Sequence, residues 1–242
     1  MQCRYRRAIA IASASLAAFA IGCSENSSTV DPVEQTSVRA VQAVPDAPEV
    51  DVFVNGDEAF ADVAFFAVTD FVVVPEGDIE VEVFESDPPS QDPVVSETIQ
   101  NTLPDTSQTV TVAGLVNPEG NQQALQVDVF ENDLETTVGQ AELRIIHLSP
   151  DAPEVDIRLG DNDPDGDLLA TLSFGEATAQ NIEVAPGTYT VTVFAAGTET
   201  NVFTQILPAV VAEENYTIYA VGLIDDDAPQ GSEFSLEVSQ DT

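Results

Sequence analysis

"VRAVQAVPDAPEVDVFVNG" at residues 38–56 returns as "LRIIHLSPDAPEVDIRLGD" at 143–161, and its centre, PDAPEVD at 45–51 and 150–156, is identical letter for letter. Two further blocks follow in step. "VPEGDIEVEVF" (74–84) matches "VAPGTYTVTVF" (184–194), and "TVTVAGLV" (109–116) matches "TIYAVGLI" (217–224). Repetition over a domain-sized interval predicts a duplicated domain of about 100 residues. The offset widens from 105 at the first block to 110 at Gly77 and Gly187, which places an insertion in the second copy. The loop "GDNDPDGD", 160–167, is the expected position.

Within each copy, Val, Thr, Ile and Phe alternate with acids, as in "IEVEVF" and "YTVTVF". Period-two alternation predicts half-buried strands, and Pro and Gly punctuate it at the spacing of an all-β sandwich. The expected fold class is all-β: two tandem Ig-like antiparallel β-sandwich domains of seven or eight strands each. Their bounds are 38–134 and 141–242, joined by a short linker at 135–140, "ETTVGQ".

The repeated segment joins two strand-like runs, so it reads first as a turn. Pro45, Pro48, Pro150 and Pro153 fix their own φ and lack an N–H, and they hold the preceding residue extended. Asp46 and Asp151 suit an Asx-turn onto their own backbone. Arg39 and Arg144 occupy equivalent positions and are expected to pair with Asp51 and Asp156 on the adjoining strand. The chemical alternative gathers Asp46, Glu49 and Asp51, or Asp151, Glu154 and Asp156, as oxygen ligands for a cation. His147 precedes Ser149-Pro150, but the first copy has Gln42 and Val44 there, so His147 reads as a hydrogen-bonding strand residue. The loop 161–167 places Asp161, Asp163 and Asp165 at positions 1, 3 and 5 and Gly166 at 6, with Asp167 following. That is the start of a calcium loop, yet Leu172 stands where its bidentate Glu belongs. Calcium is the one candidate cofactor; otherwise none is expected.

The first residues read as an address. "MQCRYRRAIAIASASLAAFAIGC" has a basic start, then an apolar run from Ala8 to Ile21 that is too short to span a bilayer and fits a signal peptide, 1–22. "AIGC" at Ala20–Cys23 is similar to a lipobox, and Arg6-Arg7 is similar to a twin-arginine export signal. Cys23 is the expected lipid attachment site, with two chains needed for stable anchoring. Residues 23–37 are polar and are expected to form a flexible tether. Asn26 and Asn215 begin glycosylation sequons.

The chain carries 43 Asp and Glu against six Arg and one His, a formal net charge of −37. Arg4, Arg6 and Arg7 lie in the signal, so three arginines face all 43 acids in the remainder. Self-repulsion of this size favours expansion at low salt and is screened where the Debye length falls to about 3 Å, in molar salt. Acid excess without lysine therefore predicts adaptation to brine. The 43% apolar content and strand alternation exclude an acidic disordered chain. Nucleic acid is excluded as a partner, because phosphate binding rests on Lys and Arg.

The opening "R-(I/V)-x-H-x-S-P-D-A-P-x-V-D-V", the "P-G-x-Y-x-V-x-V" block and the "Y-T-x-x-x-x-G" strand together resemble the domain of unknown function 4397 family. The matching residues include Arg144, His147, Ser149, Pro150, Asp151, Pro153, Asp156, Pro186, Gly187, Tyr189, Tyr216 and Gly222. The first copy departs at Gln42, Val44 and Ile79. The resemblance implies a β-sandwich repeated in tandem on exported prokaryotic proteins, including lipoproteins, and implies no activity. The chain carries no Gly-x-Ser-x-Gly, His cluster or phosphate loop. The expected function is a non-catalytic, lipid-anchored cell-surface or envelope module of a halophile, for binding, adhesion or structure. Its expected partners are the membrane, through Cys23, and an envelope or extracellular protein or polymer. The alternatives are a secreted carboxylate-dependent hydrolase and a solute-binding lipoprotein.

Overall fold

The computed structural model describes residues 35–86, 92–160, 164–225 and 228–241. The signal segment, Cys23 and Asn26 lie outside the described residues, as do Asp161 and Asp163. Among the described residues every regular element is a strand, so the fold is all-β.

The first repeat builds two sheets. One is ordered β3 (Asp57–Val63), β2 (Val50–Val54), β6 (Gly77–Glu85), β7 (Val95–Thr102). The other is ordered β4 (Ala67–Val68), β1 (Gln35–Ala43), β8 (Ser107–Ala113), β9 (Gln126–Asn132), with β5 (Val72–Pro75) also paired to β1. The second repeat copies this. One sheet runs β12 (Leu168–Leu172), β11 (Val155–Leu159), β14 (Thr190–Ala195), β15 (Asn201–Ile206). The other runs β13 (Ile182–Val184), β10 (Ala141–His147), β16 (Asn215–Val221), β17 (Ser235–Asp241). Pairing is antiparallel except that β1 runs parallel to β8, and β10 parallel to β16. Even the short β4 has its counterpart, a single bridge from Ile146 to Ala177.

The insertion lies between β11 and β12. In the first repeat the equivalent hairpin turns on Asn55 (φ 54°) and Gly56 (φ 81°), the double left-handed pair of a two-residue turn. The second repeat spans the same gap with residues 160–167.

Each repeat has its own core. Val38, Ala40, Val52, Val81, Val83 and Val110 fill the first, and Leu143, Ile145, Ile157, Val191, Val193 and Ile218 fill the second. A third core lies between the repeats, made by Val41, Ala43, Ala113, Ile146, Leu148, Tyr219 and Val221. Strands β1, β8, β10 and β16 are therefore buried on both faces, where alternation had suggested half-burial. The four sheets form successive layers: β3-β2-β6-β7 outermost, the β1 sheet, the β10 sheet, then β12-β11-β14-β15 outermost on the other side. By contacts, Val33–Thr242 is one compact unit.

Candidate functional site

PDAPEVD begins where β1 or β10 ends and runs into β2 or β11. The carboxylate of Asp46 accepts the backbone N–H groups of Val116 (2.9 Å) and Asn117 (3.0 Å). Asp151 accepts those of Ile224 and Asp225, both at 3.0 Å. The expected local Asx-turn is replaced by a long-range clamp. Two consecutive N–H groups on the loop leaving β8 or β16 present a concave donor pair, and a carboxylate fills it. That loop is itself held by a close backbone approach. Gly114 (φ 107°) and Gly222 (φ 81°) are in the left-handed region, and a Cβ there would overlap the carbonyl oxygens of Ala124 and Glu233 respectively.

The rest of the segment is similarly committed. The Pro48 carbonyl accepts the Gln42 amide at 3.4 Å, while Gln42 Oε1 accepts the Val44 N–H at 2.9 Å. His147 does the same in the second repeat: Nδ1 accepts the Ser149 N–H at 3.4 Å, and Nε2 faces the Pro153 carbonyl at 3.3 Å. One acceptor and one donor are needed, which both a glutamine amide and a neutral imidazole supply. Burial pushes the His147 imidazole below its ordinary range, in keeping with the neutral form. The Glu49 and Glu154 carbonyls accept Ser86 and Ala196 N–H at 2.9 Å. Asp51 accepts the Asp62 N–H (2.9 Å) and the Ser86 hydroxyl (2.6 Å), and Asp156 accepts the Thr171 hydroxyl (2.6 Å) and the Gly197 N–H (3.2 Å). The carboxylates are thus dispersed to separate partners rather than gathered around a cation. Among the described residues no group of three or more His, Cys, Asp or Glu is arranged to hold a metal. Of the calcium-loop residues within the described set, Asp165 and Asp167 are exposed.

The expected pairing of Arg39 with Asp51 and of Arg144 with Asp156 is not found. Arg39 sits on the face of β1 turned away from its own core, and its guanidinium reaches into the second repeat. It pairs with Asp241 at 2.7 Å, donates to Tyr219 Oη at 3.1 Å and to Thr109 Oγ1 at 2.9 Å, and lies over the Phe71 ring. Arg144 reaches the opposite way. It donates to the Glu131 carbonyl (2.7 Å) and Asn132 Oδ1 (3.0 Å) and covers the Phe130 ring. Asp241 ends β17 opposite Asn215, and Asn132 ends β9 opposite Ser107, so the two arginines make reciprocal contacts related by an approximate two-fold. The symmetry is incomplete because Asn132 stands where the other half has a carboxylate, and its buried Nδ2 has no hydrogen-bond partner. Asp156 instead has Arg158 at 3.8 Å. The signal for this interface was present in the sequence as strands almost free of acid, with Glu142 on β10 the one acidic residue among β1, β8, β10 and β16. Its partners could not be read, because they lie on the other repeat.

The sequon at Asn215 is closed in the folded body. Asn215 is buried, its amide donates to the Leu134 carbonyl at 3.0 Å, and Thr217 is fully buried.

Solved structures similar to this chain include one titled alpha-glucan binding by a streptococcal virulence factor (10% identity, 82% of this chain and 97% of that one, TM-score 0.26). Another is the product complex of the pneumococcal glycogen-degrading virulence factor SpuA (8% identity, 78% of this chain, TM-score 0.26), of which this chain spans only 21%. A third is a cell adhesion protein, so described provisionally, from Bacteroides fragilis (10% identity, 86% of this chain and 98% of that one, TM-score 0.21). No curated protein matches. The model of the domain of unknown function DUF4397 matches residues 36–158, more than half of the sequence and the whole first repeat with the clamp segment of the second: the chain belongs to the DUF4397 family.

Proposed function

We propose that this chain is a non-catalytic, lipid-anchored surface module that stands in the envelope of a cell living in concentrated salt and serves there as a binding or structural body. One observation carries the reading. The carboxylates of Asp46 and Asp151, at the same place in each copy of the motif, are each occupied by two backbone N–H groups. The histidine that sequence places beside Ser149 is matched in hydrogen bonding by Gln42 in the other copy. What the motif protects is therefore the shape of the body. Lipid on Cys23 would hold that body at the membrane through the polar tether, and the acid excess suits a medium where its repulsion is screened.

Cell fractionation in molar salt tests the anchor: the full chain is expected in the membrane pellet, and Cys23→Ser in the soluble exported fraction. A Cys23→Ser chain that still pellets completely removes the lipid anchor. The salt dependence is tested on the same material by dialysis into dilute buffer, which is expected to abolish the cooperative melt. A melt retained there removes the brine reading.

A further inference from the structure

The outer sheets of the two repeats share their outward residues up to two exchanges. Val50, Val52 and Val54 of β2 and Ile79, Val81 and Val83 of β6 enter the first core, so Asp51, Phe53, Glu82 and Phe84 face away from it. In the second repeat the same places hold Asp156, Arg158, Thr192 and Phe194. The aspartate and the second phenylalanine are common to both copies. Phe53 stands where the other copy has Arg158, and Glu82 where it has Thr192.

The second repeat shows what this face accommodates. Arg158 Nη2 lies 3.8 Å from the Asp156 carboxylate, and its Nη1 donates to the Gly166 carbonyl at 2.9 Å. The Thr192 hydroxyl donates to the Gly160 carbonyl at 2.7 Å. The loop after β11 therefore leans on its own sheet, and Thr192 and Phe194 are 0% and 1% exposed. The first repeat turns at once on Asn55 and Gly56, and the strands of its outer sheet carry no base. Phe53, Glu82 and Phe84 there are only half-buried, and Glu58 is exposed. Register sets a carboxylate on each side of Phe53, which pairs with Glu58 on β3 and with Glu82 on β6, strands about 5 Å to either side. The Phe84 ring meets Phe53 edge-on, with centroids 5.1 Å apart at 70°.

We propose that the outward face of β3-β2-β6-β7 receives an arginine side chain of a partner protein, its guanidinium over Phe53 and its N–H groups on Glu58 and Glu82. The partner supplies in trans the group that Arg158 supplies within the second repeat. Acids alone would not select this occupant, because acids cover the chain. The aromatic pair and the guanidinium already seated on the twin face select it. A ring face attracts a cation, and flanking carboxylates accept its N–H groups in charge-assisted bonds. Guanidinium suits the place better than ammonium, being planar, weakly hydrated and able to stack on a ring. The inference rests on the reading of this chain as a binding body and is independent of its lipid anchor.

Titration of the full chain with an end-blocked Gly-Arg-Gly peptide tests this, read by the ring resonances of labelled phenylalanine. The medium is molar KCl, where the Debye length is about 3 Å and general acidity attracts little, so saturable binding reports contact geometry. Saturable shifts are expected at Phe53 and Phe84, about tenfold weaker binding from Gly-Lys-Gly, and none from Gly-Gln-Gly. Phe53→Arg, which copies the second repeat, should keep the melt and abolish the shift at Phe84. Glu58→Gln with Glu82→Gln should weaken binding about tenfold, and decides the matter if Phe53→Arg does not melt cooperatively. Absence of saturable shifts, equal binding of the three peptides, or undiminished binding by both variants overturns the proposal. Cell fractionation and dialysis of the same chain report separately on the anchor and the brine reading, so a failure here is distinct from a failure there.

Discussion

Asn132→Asp is expected to stabilise the protein. The approximate two-fold between the repeats places Asn132 where the other half has Asp241, so Arg39 has a carboxylate and Arg144 has an amide. In the native chain the Asn132 amide nitrogen is buried without a partner, and a buried unsatisfied group costs about 1–3 kcal/mol. Arg39 pairs with the Asp241 carboxylate, whereas Arg144 meets the Asn132 amide oxygen and the Glu131 carbonyl. Substitution removes the orphaned N–H₂, keeps an acceptor for Thr109 Oγ1 and Arg144 Nη1, and converts the latter to a charge-assisted bond. Against this stands the desolvation of a new, partly buried carboxylate. The net gain is expected to be about 1–2 kcal/mol, which for a body of this length raises the melting midpoint by about 2–8 °C. Calorimetry in molar KCl measures it. A double-mutant cycle with Arg144→Met should remove the gain, because no guanidinium is then left to receive the carboxylate. A midpoint that stays put or falls, or a gain that persists without Arg144, refutes the reciprocal reading of the interface.

His147→Gln is expected to be near neutral, since Gln42 already performs the same two hydrogen bonds, whereas His147→Ala leaves the Ser149 N–H and Pro153 carbonyl unmatched and should cost about 2–4 kcal/mol by thermal melting. The same residue sets a pH dependence. Its folded pKa is lowered by burial, so the unfolded chain binds the proton first, and stability present above about pH 6.5 is lost as pH falls below it. The slope reaches at most about 1.4 kcal/mol per pH unit, and His147→Gln should flatten the stretch between pH 6.5 and the onset of carboxylate titration. Gly222→Ala and Gly114→Ala should each prevent a stable fold or lower the midpoint by more than about 10 °C, because a side chain there meets a backbone carbonyl in a left-handed conformation. A normal melt from either variant contradicts the close approach.

Much of the fold was legible because duplication and alternation are local signals. The paired blocks fixed two copies of one sandwich, and the widening offset located the loop 160–167 between β11 and β12. Pro48 and Pro153 were read as turn residues; their carbonyls meet the side chains of Gln42 and His147. The identity of Asp46 and Asp151 was visible, but their partners 70 or more residues away were not. The block "AGLV" and its twin "VGLI" repeat alongside PDAPEVD, and the clamp joins the two blocks, yet nothing in a single sequence links them. The arginines were misassigned for a related reason. Spacing within one repeat offered Asp51 and Asp156, while the third core brought Asp241 and Asn132 from the other repeat.

Arg39 lies on the opening strand of the folded body, and its carboxylate partner Asp241 lies on the final described one. During synthesis the first sandwich can assemble as it leaves the ribosome, but its outer apolar surface, including Val41, Ala43 and Ala113, stays bare until Ile146, Leu148, Tyr219 and Val221 of the second repeat have emerged and folded. A nascent chain halted earlier would expose a sticky flank to chaperones and to other unfinished copies. Arrival of the second repeat is therefore the event that covers this flank of the first.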